Sequence, residues 1–272
     1  CVAYRDRRSP EENGVGRMGV LIEATGVTRR FGGLVAVDGV DFSVVEGQTK
    51  ALIGPNGAGK STLLNLLTAV MPVSGGDIRI GGQSVVGRSC YEVAALGLAR
   101  TFQGVQLFQN MTVLENVMVG CHSWTRQGIA SGAIRWIGHL REERKVRAEA
   151  LRQLEVVGLT DDADANAASL PFGKQRMLEI ARALASRPRL LLLDEPASGL
   201  STRETGQLSE LLRRIVSEGV TVVLVDHDMQ FVMEISDEVM VLDQGKKIAE
   251  GTPDEVQNDP RVIAAYLGAE AK

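Results

Sequence analysis

The run Gly54-Pro55-Asn56-Gly57-Ala58-Gly59-Lys60-Ser61-Thr62 has the residue types and spacing needed to hold phosphate, in the pattern G-x-x-x-x-G-K-[ST]. Its glycines let successive backbone N–H groups curl into an anion nest. A helix opening near Gly59 adds the positive end of its dipole. Lys60 brings a point charge to the β- and γ-phosphates, and Ser61 brings a hydroxyl for Mg2+. Farther along, Leu190–Leu193 runs into Asp194-Glu195, two carboxylates at the end of an apolar segment. Asp194, at the tip of a strand beside the phosphate loop, can hold Mg2+ or its waters. Glu195 points differently and can polarise an attacking water as a general base. His227, in Asp226-His227-Asp228, and Gln103, in Arg100-Thr101-Phe102-Gln103, read more simply in isolation as a surface histidine and a loop glutamine.

These groups need a frame. Val20–Ala24, Val40–Val44, Thr49–Ile53, Asp77–Ile80, Leu190–Leu193, Val220–Val225 and Val239–Leu242 read as strands. A helix is expected from Lys60 to about Ala69, and Arg141–Val157 is rich in good helix formers. Strands alternating with helices argue for an α/β domain with a mostly parallel sheet. Residues from about 85 to 185 look mostly helical and read as an insert in that sheet.

Composition removes several other classes. The 272 residues are 44% hydrophobic and 24% charged, ordinary for a globular domain and enough for a real core. No apolar run approaches the ~20 residues of a membrane span. Lys plus Arg number 30 against 34 Asp plus Glu, a net charge of −4 that gives no argument for a nucleic-acid partner. Cys1, Cys90 and Cys121 lie far apart with no metal-ligand spacing, which reads as reduced thiols in a cytosolic protein. The polar stretch 1–17 reads as a loose leader, with Met18 expected as the natural start.

In this order, phosphate loop, Gln103, Leu170-Pro171-Phe172-Gly173-Lys174-Gln175-Arg176 and Asp194-Glu195 resemble the ATP-binding-cassette ATPases over roughly residues 20–268. The resemblance implies a P-loop NTPase core with an antiparallel β subdomain and an inserted α-helical subdomain. It also implies roles for particular residues. Phe31 would stack on adenine, and Thr62 would contact the α-phosphate. Gln103 would sense Mg2+ and γ-phosphate and link to the transport partner. Glu195 would be the catalytic base and His227 the switch contacting γ-phosphate. The 170–176 segment stands where the family carries its signature, so Gly173 would complete the site of an opposite cassette, with ATP sandwiched in a homo- or heterodimer. Three positions depart from the usual pattern: Pro171 for serine, Lys174 for glutamine and Ser201 for aspartate.

Arg30–Val37, Gly97–Gln103, Leu107–Val117, Gly251–Glu255 and Ala265–Gly268 resemble more narrowly the cassettes of branched-chain amino-acid importers. In that branch an aromatic commonly precedes the signature glycine, as Phe172 does. The branch implies a peripheral subunit on the cytoplasmic face of the cell membrane. It would be attached to two permeases and, through them, serve a periplasmic or extracellular solute-binding protein, with no nucleic acid involved. A lipopolysaccharide-type export cassette and a soluble cassette acting on nucleic acid or ribosomes are the alternative readings. The insert Cys121–Arg144 carries Trp124 and Trp136, which could dock on a partner or simply cover the helical subdomain.

Overall fold

Three segments are buried at every position: Thr49–Ile53, Leu190–Asp194 and Thr221–Val225. Such wholly buried, mostly apolar strands belong to a parallel sheet covered on both faces. A computed structural model describes residues 19–124 and 136–270 and builds that sheet. The leader 1–17, Met18, Cys1 and the side chain of Trp136 lie outside the described residues.

In chain order the first elements are β1 (Val20–Phe31), β2 (Leu34–Val45), β3 (Thr49–Ile53), α1 (Lys60–Leu67), β4 (Gly75–Ile80), β5 (Gln83–Ser84), α2 (Cys90–Ala94) and β6 (Leu98–Arg100). Then come α3 (Val113–Gly120), α4 (Trp136–Val156), α5 (Phe172–Leu184), β7 (Leu190–Asp194), α6 (Thr202–Ser217) and β8 (Thr221–Val225). The chain continues through α7 (Met229–Ile235), β9 (Glu238–Asp243), β10 (Lys246–Gly251), α8 (Pro253–Gln257) and α9 (Pro260–Glu270).

The strands form an antiparallel sheet of order β2-β1-β4-β5 and a six-stranded sheet of order β10-β9-β3-β8-β7-β6. In the second sheet only the β9–β10 pairing is antiparallel. Leu21, Phe42, Leu63, Leu190 and Met240 belong to a core shared by the two sheets and α1. On the other face of the parallel sheet, α5, α6 and α7 bury Ile180, Leu212 and Phe231. A third core holds Val117, Leu154 and Leu178, where α3, α4 and α5 meet. Helix α5 serves two cores, because its period puts Ile180 and Leu184 toward the sheet and Leu178 and Ala185 toward α3 and α4.

Three differences from the sequence reading matter. Strands β1 and β2 run several residues beyond the expected Val20–Ala24 and Val40–Val44, because register shifts interrupt their alternation. The stretch 85–185 is not uniformly helical: Leu98–Arg100 is a parallel strand on β7, and Val85, Val93 and Leu98 pack in the core shared by the two sheets. Finally, the strand carrying Asp194 is not beside the phosphate-loop strand. β8 lies between them, pairing with β3 on one side and β7 on the other.

Trp124 is engaged within the fold. Its indole Nε1–H donates to the Ala185 carbonyl at 2.8 Å, and the Arg187 guanidinium lies 4.3 Å from its ring centre. This satisfies the C-terminal end of α5, where carbonyls otherwise lack partners.

Candidate functional site

The loop between β3 and α1 is shaped by glycines that approach backbone too closely for any side chain. A Cβ on Gly54, at φ 147°, would lie 2.1 Å from the Leu242 carbonyl oxygen. A Cβ on Gly59, at φ 103°, would lie 2.5 Å from the Ala36 oxygen. The strand β2, the loop and the turn after β9 are thereby locked together, with the Gly245 N–H donating to Ala58 O at 2.9 Å. Lys60 is buried, and its ammonium folds back to donate to the carbonyls of Gly54 (2.7 Å) and Pro55 (3.0 Å). Burial lowers the Lys60 pKa, while the charges of Glu195 and Asp194 pull it upward.

A cleft of about 800 Å³ opens in front of this loop. Phe31, Asn56, Gly57, Ala58, Gly59, Lys60, Ser61, Thr62, Gln103, Glu195 and His227 all line it. Phe31 is 42% exposed, with the Arg29 guanidinium 4.6 Å from its ring centre. It is therefore an accessible aromatic at the cleft and not a core phenylalanine.

The two consecutive carboxylates diverge. Asp194 is buried behind the cleft wall, its Oδ2 accepting from Arg100 Nη2 at 2.9 Å. Arg100 in turn donates from Nη1 to Asn65 Oδ1 (2.7 Å) and Thr68 Oγ1 (3.1 Å) on α1 or its end. Glu195 turns outward because its backbone adopts φ 52°, a left-handed conformation costing a non-glycine residue of order 1 kcal/mol. Its N–H donates to Val225 O at 2.7 Å, which holds that conformation against the tip of β8. Both Glu195 oxygens are occupied: Oε2 accepts from Gln103 Nε2 at 2.9 Å, and Oε1 lies 3.1 Å from His227 Nε2. His227, two residues past the end of the intervening β8, thus reaches Glu195 within the same cleft as the phosphate loop.

Asp226 and Arg100 had no assigned role in the sequence reading. The buried Asp226 carboxylate accepts from the N–H groups of His227 (2.7 Å), Asp228 (3.0 Å) and Ala197 (2.8 Å). It ties the loop after β8 to the loop after β7.

Gly173 does not join this cleft. It lines a separate groove with Lys174 and Glu204, and a Cβ on it would meet the Glu204 carboxylate. The three departures from the usual family pattern, two in the signature and one at Ser201, have local structural settings. Pro171 stands at the N-cap of α5 without a side-chain cap, and its carbonyl accepts from Gln175 N at 3.0 Å. Lys174 pairs with Asp162 at 2.7 Å. Ser201 caps α6 in a reciprocal box with Glu204, so this serine serves as a helix cap, a role aspartate also fills well.

A phosphate cradle, a carboxylate aimed across it and a histidine and glutamine on that carboxylate define an ATPase of the nucleotide-binding cassette class. Residues 37–198 match the ABC transporter family, and 246–272 match the branched-chain amino acid ATP-binding cassette transporter family. The high-affinity branched-chain amino acid transport ATP-binding protein BraF of Pseudomonas aeruginosa is 45% identical over 91% of this chain and 98% of its own. LivG of Escherichia coli, with the same description, is 41% identical over the same shares. A crystal structure of an ATP-binding cassette of an ABC transporter in its ADP conformation superposes with a TM-score of 0.79 at 28% identity, covering 92% of this chain and 99% of that one. A dimeric cassette in a post-hydrolysis state, bound to ADP and Pi, gives 0.72 at 26% identity, covering 86% and 99%. The chain belongs to the ABC transporter family, among the ATP-binding proteins of branched-chain amino acid transport.

Proposed function

We propose that this chain hydrolyses ATP to power a membrane importer of branched-chain amino acids, a reading supported by its relatives BraF and LivG, which are named as branched-chain amino acid transport ATP-binding proteins. The carrying observation is Glu195, held by Gln103 and His227 across the cleft from the phosphate loop. Triphosphate entering the nest takes Lys60 away from the Gly54 and Pro55 carbonyls. Phe31 offers an exposed face to the adenine, and Thr62 a hydroxyl to the α-phosphate.

Among the described residues no cluster of three or more His, Cys, Asp or Glu could hold a metal alone. The oxygen donors present, Ser61 Oγ, Gln103 Oε1 and Asp194 Oδ1, instead suit a hard cation arriving with its nucleotide, and we assign these residues to Mg2+. When bound, Mg2+ neutralises charge developing on the phosphates. Gln103 would serve the metal and His227 the γ-phosphate, which would leave Glu195 free to take a proton from water. That water attacks γ-phosphorus in line while the bond to ADP breaks.

Two such chains, or this chain and a related cassette, would close on two ATP molecules, with Gly173 of each completing the site of the other. Residues 18–268 form the cassette, and the segment Gln103–Asn116 passes its movement to two permeases that receive solute from an external binding protein. Among the described residues no helix is long and apolar enough to cross a membrane, so those permeases would supply the channel and place this chain on their inner face.

Replacing Glu195 by Gln tests the base. Equilibrium ATP binding should stay within about threefold, while turnover falls by at least ~100-fold, the lower end expected for a lost general base. Near-normal hydrolysis by Glu195→Gln would sink the assignment.

A further inference from the structure

Arg176 is 1% exposed and is the largest fully buried side chain among the described residues. A buried guanidinium is costly unless its donors are used. Here the two terminal nitrogens carry four N–H bonds and have four partners, and only the Nε–H is left without one. Nη1 donates to Phe102 O at 3.2 Å and to Glu179 Oε2 at 3.0 Å. Nη2 donates to Gln103 O at 3.1 Å and to Glu195 O at 3.4 Å. The guanidinium also lies 5.9 Å from the centre of the Phe172 ring.

These partners are not one local cluster. Phe102 and Gln103 belong to the loop after β6, Glu195 to the turn after β7, and Phe172 and Glu179 to α5. One planar fork therefore ties together the main chain of the glutamine, the main chain of the base and the helix that begins at the signature segment. Gln103 and Glu195 also meet through their side chains at 2.9 Å, so the base is fixed from both ends. A lysine could not do this: its three donors leave one point, whereas the guanidinium presents donors in a rigid plane.

We propose that Arg176 is a positioning residue for hydrolysis. It sets the places of Gln103 and Glu195 relative to each other and carries any shift of that pair into α5. It is buried and does not line the cleft. The proposal rests on the reading of Glu195 as the base. Glu179 is the counter-ion that lets Arg176 remain buried; burial raises the Glu179 pKa, and the Arg176 charge and hydrogen bond pull it back.

Two variants keep the test independent of simple misfolding. Arg176→Lys retains the charge opposite Glu179. The double substitution Arg176→Met with Glu179→Leu removes both charges at similar volume, a change that buried ion pairs often tolerate without loss of stability. Each is assayed as the full chain for ATP turnover, KM for ATP, thermal midpoint and hydrogen exchange of amides 102–106. In both variants kcat should fall about tenfold or more, with KM within twofold of the parent and faster exchange at 102–106. The double variant should keep its midpoint within a few degrees of the parent. A kcat within twofold of the parent in both variants overturns the proposal. So does a kcat loss in both that is matched by a falling midpoint, since that assigns Arg176 to packing alone. Absence of hydrolysis in the unsubstituted chain would strike the base assignment itself, and this proposal with it.

Discussion

Replacing Arg100 by Met should destabilise the protein far more than a surface charge would. Arg100 and Asp194 are each 8% exposed and pair at 2.9 Å, so removing the guanidinium strands a carboxylate out of water. Breaking a buried pair this way costs about 3–5 kcal/mol. A Coulomb estimate of about 4 kcal/mol at 4 Å and an effective dielectric of 20 agrees in size. Asn65 and Thr68 also lose their shared donor. At roughly 2–4 °C per kcal/mol for a protein of this size, the thermal midpoint should drop by about 6–20 °C. The assay is urea and thermal unfolding without nucleotide and with chelator, so that metal binding to Asp194 plays no part. Adding Asp194→Asn to Arg100→Met removes the stranded charge and should restore at least half the loss. Raising salt to about 1 M should leave the Arg100→Met deficit largely intact, because buried pairs are poorly screened. A deficit under about 1 kcal/mol, or a double variant no more stable than Arg100→Met, would refute the reasoning.

Gly54→Ala should abolish tight ATP binding and lower the midpoint, since its Cβ would lie 2.1 Å from a main-chain oxygen that cannot yield; equilibrium binding and thermal unfolding check both. A thiol reagent at pH 8 should label exposed Cys90 quickly and Cys121 only on unfolding, as burial pushes the Cys121 thiol up to about 11; peptide mapping of the label decides. Burial pushes the Glu149 carboxyl up, but hydrogen bonds from Arg187, Gln153 and Arg152 outweigh it and hold the pKa below the ordinary carboxylate range. The stability Glu149 contributes is thus present above the unfolded-state pKa of about 4.3 and lost as pH falls through the lower folded value. Acid titration of stability for the parent and Glu149→Gln should show the two curves converging below about pH 4.

The phosphate loop was legible because its residue types stand at a fixed spacing in one short run, although the close approaches that demand Gly54 and Gly59 come from Leu242 and Ala36 on other strands. Strands β3, β7 and β8 were legible from the apolar runs Ala51–Ile53, Leu190–Leu193 and Val222–Val225 within them. Strand β6 was not, because its three residues owe their conformation to a partner some 90 residues away. The order of strands was likewise out of reach, since the placement of β8 between β3 and β7 depends on crossovers and not on any segment's pattern. Buried charge was the other blind spot. Arg100 and Arg176 look like surface residues until their surroundings are known. For Arg176 a signal existed: positions 176, 180 and 184 share one face of α5, and the other two are core residues.

The occupied carboxylate of Glu195 bears on the economy of the machine. A motor bathed in its fuel loses efficiency through every turnover that moves no cargo. With one oxygen accepting from Gln103 and the other beside His227, the Glu195 carboxylate is held by two partners and keeps about two of its roughly four lone-pair sites open. On the roles proposed above, two separate partners would have to let go before Glu195 could act, Gln103 toward the metal and His227 toward the γ-phosphate. If Glu195 is the base proposed above, the same two contacts would act as its safety catch, linking fuel consumption to completed assembly.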